Sequence, residues 1–403
     1  MTVLTCEREV FLQSTGIDAS LEARIDPDIR VVRTEFPVRE IDSDLRSWGR
    51  ARAMAPELWN VWEARRTRKV FPEPRYALWR PVLEREALRI HATDPVDLVI
   101  GSANPNVVHT AGHLLHEQHG VPFVMDYRDT WQLDMYGGRR TLSDRHPGAV
   151  WERRLISTAA EAWFVNEPIA QWHRELYPEH AIKMRVVPNG FDRDFVDAPV
   201  PPSGPADRQI VFGNIGTMTA QTPIPELIAG WSAGRSQGSL NDARIDLYGY
   251  LGHQGNDDGG ILGYVESVRD GSVRYRGPVK KAQIAQTYAQ LDVLVLPLGT
   301  SRFMTSGKVF EYMATGLPIV SVHDPVNAVT DTLRGYPGWF AVSSLGPDEI
   351  GRALVSAAQY ARTQTLQDRL AARAWADRYD RRNILQPIAT RWRDRAAYAG
   401  HAA

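Results

Sequence analysis

Lys308 and Glu311 stand three residues apart in the stretch Ser301–Val322, SRFMTSGKVFEYMATGLPIVSV. On a helix that spacing puts both side chains on one face. An ammonium there supplies a point charge for phosphate, and a carboxylate supplies two acceptor oxygens for a diol such as a ribose. Ser306 and Gly307 precede them, with Ser306 expected to cap a helix over 308–315. Orphan backbone N–H groups and the helix dipole at such a start suit a phosphate. Gly307 lets the ligand come close. Diphosphate and ribose are two parts of one nucleotide; a surface Lys–Glu pair is the plainer reading of the same residues.

A second polar loop, VFGNIGTMTAQTP over Val211–Pro223, follows a strand pattern. Gly213 and Gly216 permit tight backbone approach to phosphate, with Asn214, Thr217, Thr219 and Gln221 beside them. Glycines at a strand-to-turn junction also occur without a ligand, and the third glycine of a dinucleotide fingerprint is missing. In PFVMDYRDTW, Pro122–Trp131, a strand delivers Asp126, Arg128 and Asp129 to its carboxyl end. Such charges pair with one another or meet a ligand. In VVPNGFD the chain turns at Asn189-Gly190, which reads either as a hinge turn alone or as one that also touches a ligand in the cleft.

Two further clusters are weighed against function. His109, His113, His116 and His119 fall on one helix, but no catalytic glutamate accompanies them as in His-Glu-x-x-His, so no metal is expected. Arg46, Arg50, Arg52, Arg65, Arg66, Arg68 and Lys69 interleave with Trp48, Trp59 and Trp62. They read as a solvated helical face, with a membrane surface or an anionic lipid-linked acceptor as the functional alternative.

The elements that position these loops alternate between short β-rich runs and longer helical patterns, which argues for helices layered on parallel sheets. Strands are expected at 2–5, 29–33, 97–101, 122–126, 161–165 and 184–187, then at 209–215, 244–248, 272–276, 292–297, 319–322 and 339–342. Residues 196–208, VDAPVPPSGPADR, read as an interdomain linker. The expected division is an N-terminal Rossmann-like acceptor domain over 1–190, a C-terminal donor domain over 191–375, and terminal helices over 376–403 that cross back to the first. Two doubly wound domains facing a central cleft would gather their strand ends around a shared ligand.

Composition narrows the classes. Across 403 residues, 48 acidic groups nearly cancel 47 basic ones, so no global field recruits nucleic acid. A single cysteine, Cys6, excludes an internal disulfide and points to a reducing compartment. No apolar run reaches the ~18 residues of a spanning helix. The reading is cytoplasmic, with peripheral contact at the inner face of the membrane as the alternative.

In order and spacing, VVPNGFD, FGNIG, VRYRGPV, LDVLVLPL and GKVFEYMATGLPIVSV resemble the landmarks of GT-B glycosyltransferases, specifically family 4 of the retaining enzymes. PFVMDYRDTW is similar to a branch of that family whose strand ends in Arg-Asp-x-Trp. The resemblance implies a retaining, metal-independent, hexosyltransferase-like enzyme without cofactor. Its partners would be a nucleotide sugar and a hydroxyl acceptor of cell-surface polysaccharide, glycolipid or natural-product assembly. It gives Glu311 the ribose, the Ser306–Lys308 backbone and Gly213 and Gly216 the diphosphate, and Arg128 and Asp129 a place near the reacting carbon.

Three departures accompany it. Phe303 stands where the family carries a glutamate, and Asn214, Thr219 and Gln221 stand near its arginine and lysine, so that Lys308 with Arg302 or Arg276 is expected to supply the charge. MTVLTC resembles the family's second strand. Either the chain starts upstream of Met1 or the N-terminal sheet lacks its first strand. An impaired nucleotide-sugar binding protein, or another GT-B activity such as a sugar-nucleotide epimerase, is the alternative.

Overall fold

A computed structural model describes residues 1–10, 19–37, 45–202, 208–252 and 259–401. It divides into two compact units, the first of residues 1–134 and 139–187, the second of 135–138 and 188–403.

In the second unit six strands pair in parallel: β7 (Ile210–Ile215), β8 (Ala243–Tyr248), β9 (Val273–Gly277), β10 (Val293–Gly299), β11 (Ile319–His323) and β12 (Trp339–Ala341). Their order across the sheet is β12-β11-β10-β7-β8-β9. This is the doubly wound arrangement, and its direction of winding reverses between β7 and β10. Strands β7 and β10 are buried at every position, which explains their largely apolar sequences, IVFGNI, interrupted by Asn214, and VLVLPLG. Pro297 sits inside β10 because the register to β11 shifts between Pro297 and Gly299, where a missing N–H is tolerated.

Both faces are covered. Ile224–Ser236 (α5) and Pro347–Thr363 (α7) close one core around Phe212, Trp231, Val295 and Leu354. Lys308–Ala314 (α6) and Leu366–Ala376 (α8) close the other around Leu294, Val309, Phe310 and Tyr312. Arg381–His401 (α9) belongs to the same unit.

The first unit holds two parallel sheets: β1 (Thr2–Cys6) with β2 (Arg30–Thr34), and β3 (Val99–Ala103), β4 (Phe123–Tyr127), β5 (Glu161–Phe164) and β6 (Met184–Val186) in that order. Among the described residues no ladder joins β1 to β3. Trp79–Thr93 (α3) and His109–His119 (α4) share one apolar core with Cys6, Phe71 and Val121. All the expected strands are present to within a few residues.

The proline-rich stretch behaves differently from its reading as a linker. The units divide at Val187 and Pro188 instead, and Val196 and Val200 are buried in the second unit's core. Arg373 donates to the Val196 carbonyl at 2.7 Å, and Arg369 to the Val200 and Pro201 carbonyls at 2.7 and 2.9 Å. Proline and glycine signal irregular backbone, and buried guanidinium groups can satisfy such backbone inside a domain. Residues 203–207 of that stretch lie outside the described residues.

Candidate functional site

The carboxyl ends of β7 and β10 meet where the sheet reverses, and the loops that leave them bring Gly216 and Lys308 together. Gly216 follows β7 with φ +143°, held by its N–H to the Tyr248 carbonyl at 2.9 Å. Lys308 opens α6 and lays its side chain over that backbone: a Cβ on Gly216 would come within 2.6 Å of Cε and 2.7 Å of Nζ. No hydrogen bond or ion pair to Lys308 is found among the described residues, and desolvation alone pushes its pKa down to about 8. A partly desolvated cation without a counter-ion costs free energy unless an anion joins it.

Tyr312 pins the glycine loop to α6 from below. Its buried hydroxyl accepts from the Ile215 N–H at 2.7 Å and donates to the Ile215 carbonyl at 3.2 Å. Asn214 is also fully buried, its Oδ1 3.3 Å from the same hydroxyl, so it positions the loop from inside. Gly213 lies within β7, where an added Cβ would sit 2.4 Å from Leu291. Its smallness serves core packing, a use the glycine pattern alone does not distinguish. Thr217 is exposed next to Gly216, while Thr219 donates to Gln221 at 3.0 Å.

Glu311 faces out one turn beyond Lys308. Lys281 Nζ approaches its Oε1 at 2.6 Å and the Tyr288 hydroxyl its Oε2 at 3.4 Å. Lys281, whose Nζ is also 4.6 Å from the centre of the Phe195 ring, escapes the sequence reading. It lies 30 residues before Glu311, just past the VRYRGPV landmark, and only the sheet order brings the two together.

The other expected contributors are placed less centrally. Arg276 on β9, two strands from β7, is 3.3 Å from the buried Asp246 carboxylate, which Arg244 also binds at 3.1 Å. Arg302 is exposed, with Cζ 5.8 Å from the centre of the Phe303 ring. Ser306 is not the helix cap: Gly307 occupies that position without a side-chain bond, while the Ser306 carbonyl accepts from Val309 N–H at 3.2 Å. Gly307 itself has open space where a Cβ would stand. Phe303 is buried against Gly138, and Ser301 Oγ donates to the Met135 carbonyl, so the loop after β10 grips residues 135–138.

In the first unit Arg128 donates from Nε to Oδ2 of buried Asp126 at 2.9 Å and pairs ionically with it, Nη2 lying 2.7 Å from Oδ1. Ser102 donates to the same carboxylate at 2.8 Å. Asp129 makes no ion pair among the described residues, and desolvation raises its pKa. The Asn189-Gly190 turn packs on the start of α9: Arg381 donates to the Asn189 carbonyl at 3.1 Å, and a Cβ on Gly190 would meet the Tyr379 carbonyl oxygen at 2.6 Å. In α4, His113 bonds Thr158 at 3.1 Å and His116 the Val121 carbonyl at 3.2 Å, so these imidazoles tie the helix to its neighbours.

Residues 209–359 match the family described as Glycosyl transferases group 1. This span contains every donor-side candidate from Gly213 to Glu311 and the whole Gly216–Lys308 contact. A glycosyltransferase from Rickettsia africae ESF-5 superposes with TM-score 0.63 at 12% identity, over 98% of this chain and 89% of that one. The fold is GT-B. An α,α-trehalose 6-phosphate synthase from Burkholderia multivorans aligns with this GT-B chain over 99% of each, with TM-score 0.62 and 13% identity. Anabaena HepE in complex with UDP covers 78% of this chain and 82% of its own, with TM-score 0.53 and 16% identity. No curated protein matches the chain. The match of residues 209–359 to the group 1 glycosyl transferase model, with the GT-B fold, supports a glycosyltransferase.

Proposed function

We propose that the protein is a retaining, hexosyltransferase-like enzyme that moves a sugar from a nucleoside-diphosphate sugar to a hydroxyl acceptor. The observation that carries this reading is the half-buried Lys308 ammonium laid over Gly216 with no ion pair among the described residues, at the reversal point of a group 1 glycosyl transferase domain. A diphosphate is the anion that fits. In the reaction the bond between the anomeric carbon and the diphosphate oxygen breaks, the acceptor oxygen bonds to that carbon on the same face, and its proton passes to the departing phosphate. Lys308 and the N–H groups at the start of α6 would stabilise the charge that develops on the leaving group. Glu311, oriented by Lys281, would receive the ribose hydroxyls. Arg128 and Asp129 are assigned to the reacting end, and the first unit to the acceptor.

The complex of HepE with UDP and the UDP-forming trehalose-phosphate synthase from Burkholderia vietnamiensis make uridine the first base to try. Incubation with labelled UDP-, GDP-, TDP- and ADP-sugars and a panel of lipid and saccharide acceptors is the test. Transfer with retained anomeric configuration supports the reading; an inverted product refutes the retaining assignment. Phe303, buried against Gly138, favours a second reading, a nucleotide-sugar binding protein without turnover. Tight diphosphate binding with no transfer to any acceptor and no change in the bound sugar would select it.

A further inference from the structure

The helix Pro56–Thr67 (α2) is inside out. Its inward positions hold Glu63 and Thr67, both buried, while Leu58, Val61 and Trp62 face solvent at 74%, 51% and 57% exposure. Those three lie at i, i+3 and i+4 and form one continuous apolar face. Met54, at the end of the preceding helix Arg50–Met54 (α1), is 85% exposed, and Leu45 is 69% exposed. A soluble face of a helix is ordinarily polar, so five large apolar side chains shown to water within so short a stretch ask for a partner.

The inward polarity is structurally supported. Arg52 is buried with its guanidinium 4.0 Å from the Trp48 ring centre and 4.9 Å from that of Trp59. Glu63 is bound by Arg66 through both Nε and Nη2, at 2.9 and 2.7 Å, and its carbonyl accepts from Thr67 Oγ1 at 2.9 Å. The Glu63 and Thr67 bonds lie within α2 and satisfy its buried polar groups, while Arg52 stacked on Trp59 holds α1 against the helix.

Charge identifies the partner. Residues 45–69 carry seven Arg and Lys against two Glu, in a chain whose net charge is −1. Arg50, Arg65, Arg68 and Lys69 are exposed and form no ion pair among the described residues. An apolar face flanked by unpaired cations matches the boundary of an anionic bilayer, where the apolar side chains enter the acyl edge and the cations stay among the headgroups. A soluble polyanion has no use for the apolar face, and a purely apolar partner has none for the cations. No helix among the described residues is long and apolar enough to cross a membrane, so attachment at this face would be peripheral.

We propose that the face of Met54, Leu58, Val61 and Trp62, with Arg65, Arg68 and Lys69 beside it, docks the protein on anionic lipid membranes. The test is flotation of the full chain with vesicles of phosphatidylcholine alone and with 30% phosphatidylglycerol, at low and high salt, alongside two variants. One carries Leu58→Ser and Trp62→Ser, the other Arg65→Gln, Arg68→Gln and Lys69→Gln. All these positions are exposed, so circular dichroism should show unchanged folds. Wild type is expected to float only with the anionic vesicles and to detach as salt rises. The charge variant should partition roughly a hundredfold less, about fivefold per cation removed. The apolar variant should lose at least tenfold.

Three outcomes overturn the proposal. One is failure of the wild type to float with anionic vesicles. Another is binding that survives in the apolar variant while heparin competes it away, which assigns the cations to a soluble polyanion. The third is sedimentation as a dimer that only the apolar variant dissolves, without vesicle binding, which assigns the face to a second copy of the chain. None of these readouts involves nucleotide, so the outcome is independent of the donor site.

Discussion

Lys308 Cε and Nζ lie 2.6 and 2.7 Å from the point a Cβ would occupy on Gly216. The contact joins the loops that leave the two strands at which the sheet reverses, and it brings a cation with no ion pair among the described residues onto bare backbone. Gly216→Ala is therefore expected to displace the ammonium and to strain a backbone held at φ +143°. Stability should fall by about 1–3 kcal/mol. Calorimetry should also show at least tenfold weaker binding of nucleoside diphosphate, and unchanged affinity in a folded variant would refute the role given to this contact.

Lys308 titrates near pH 8 in the free protein, below the ordinary lysine value, because burial disfavours its charged form. The sign of its contribution follows. The unfolded chain holds this proton more tightly, so the lysine destabilises the fold below pH 8, and the penalty is relieved as pH rises through 8 toward the unfolded pKa. Lys308→Met should accordingly raise the melting temperature at pH 7 and lose that advantage by pH 10. A bound diphosphate reverses the burial penalty, so affinity should be full below pH 8 and decline above it, by up to about tenfold per pH unit. A Lys308→Met variant that melts lower than wild type at pH 7 would make this a structural lysine.

Glu311 and Lys308 should separate by ligand. Glu311→Ala is expected to weaken nucleoside diphosphate binding by about 10- to 100-fold while leaving inorganic pyrophosphate binding little changed, because only the former carries a ribose. Lys281→Met, which releases Glu311 Oε1, should show the same selectivity in milder form. Equal losses for both ligands in Glu311→Ala would remove the ribose assignment.

Much of this could be read from the chain beforehand, and the reasons for the remainder are physical. Strands β7 and β10 are apolar but for Asn214 because both of their faces are covered, and that pattern is local. The ion pair of Lys281 with Glu311 spans 30 residues and depends on sheet order, so no local pattern reveals it. Gly213 and Gly216 look alike in FGNIG, yet one is crowded by Leu291 inside the core and the other lies under Lys308. Val196 and Val200 show the opposite failure. Their proline-rich surroundings suggest a solvated linker, while two buried arginines from α8 hold their carbonyls inside the second unit.

Tyr312→Phe removes the hydroxyl that both accepts from and donates to Ile215. A buried N–H left without its partner costs about 1–3 kcal/mol, which urea denaturation would register as a lower midpoint with unchanged slope. Because the same hydroxyl fixes the loop that presents Gly216, nucleotide affinity should fall with it. A loss of stability with affinity fully retained would show that the loop is held by other contacts.

Arg128→Lys keeps the charge beside Asp126 but gives up the Nε hydrogen bond and the planar guanidinium. Transfer is expected to slow by about 100-fold, with nucleotide affinity unchanged. If nucleotide binding alone is lost, Arg128 belongs to donor binding and the assignment to the reacting end fails.

The most direct test of the central claim is calorimetric titration of the purified protein with UDP, GDP, TDP and ADP at pH 7, repeated on Lys308→Met. One of these diphosphates should bind at a single site and lose that binding in the variant. Absence of binding for all of them, or binding that Lys308→Met leaves intact, would contradict a diphosphate seat between Lys308 and Gly216.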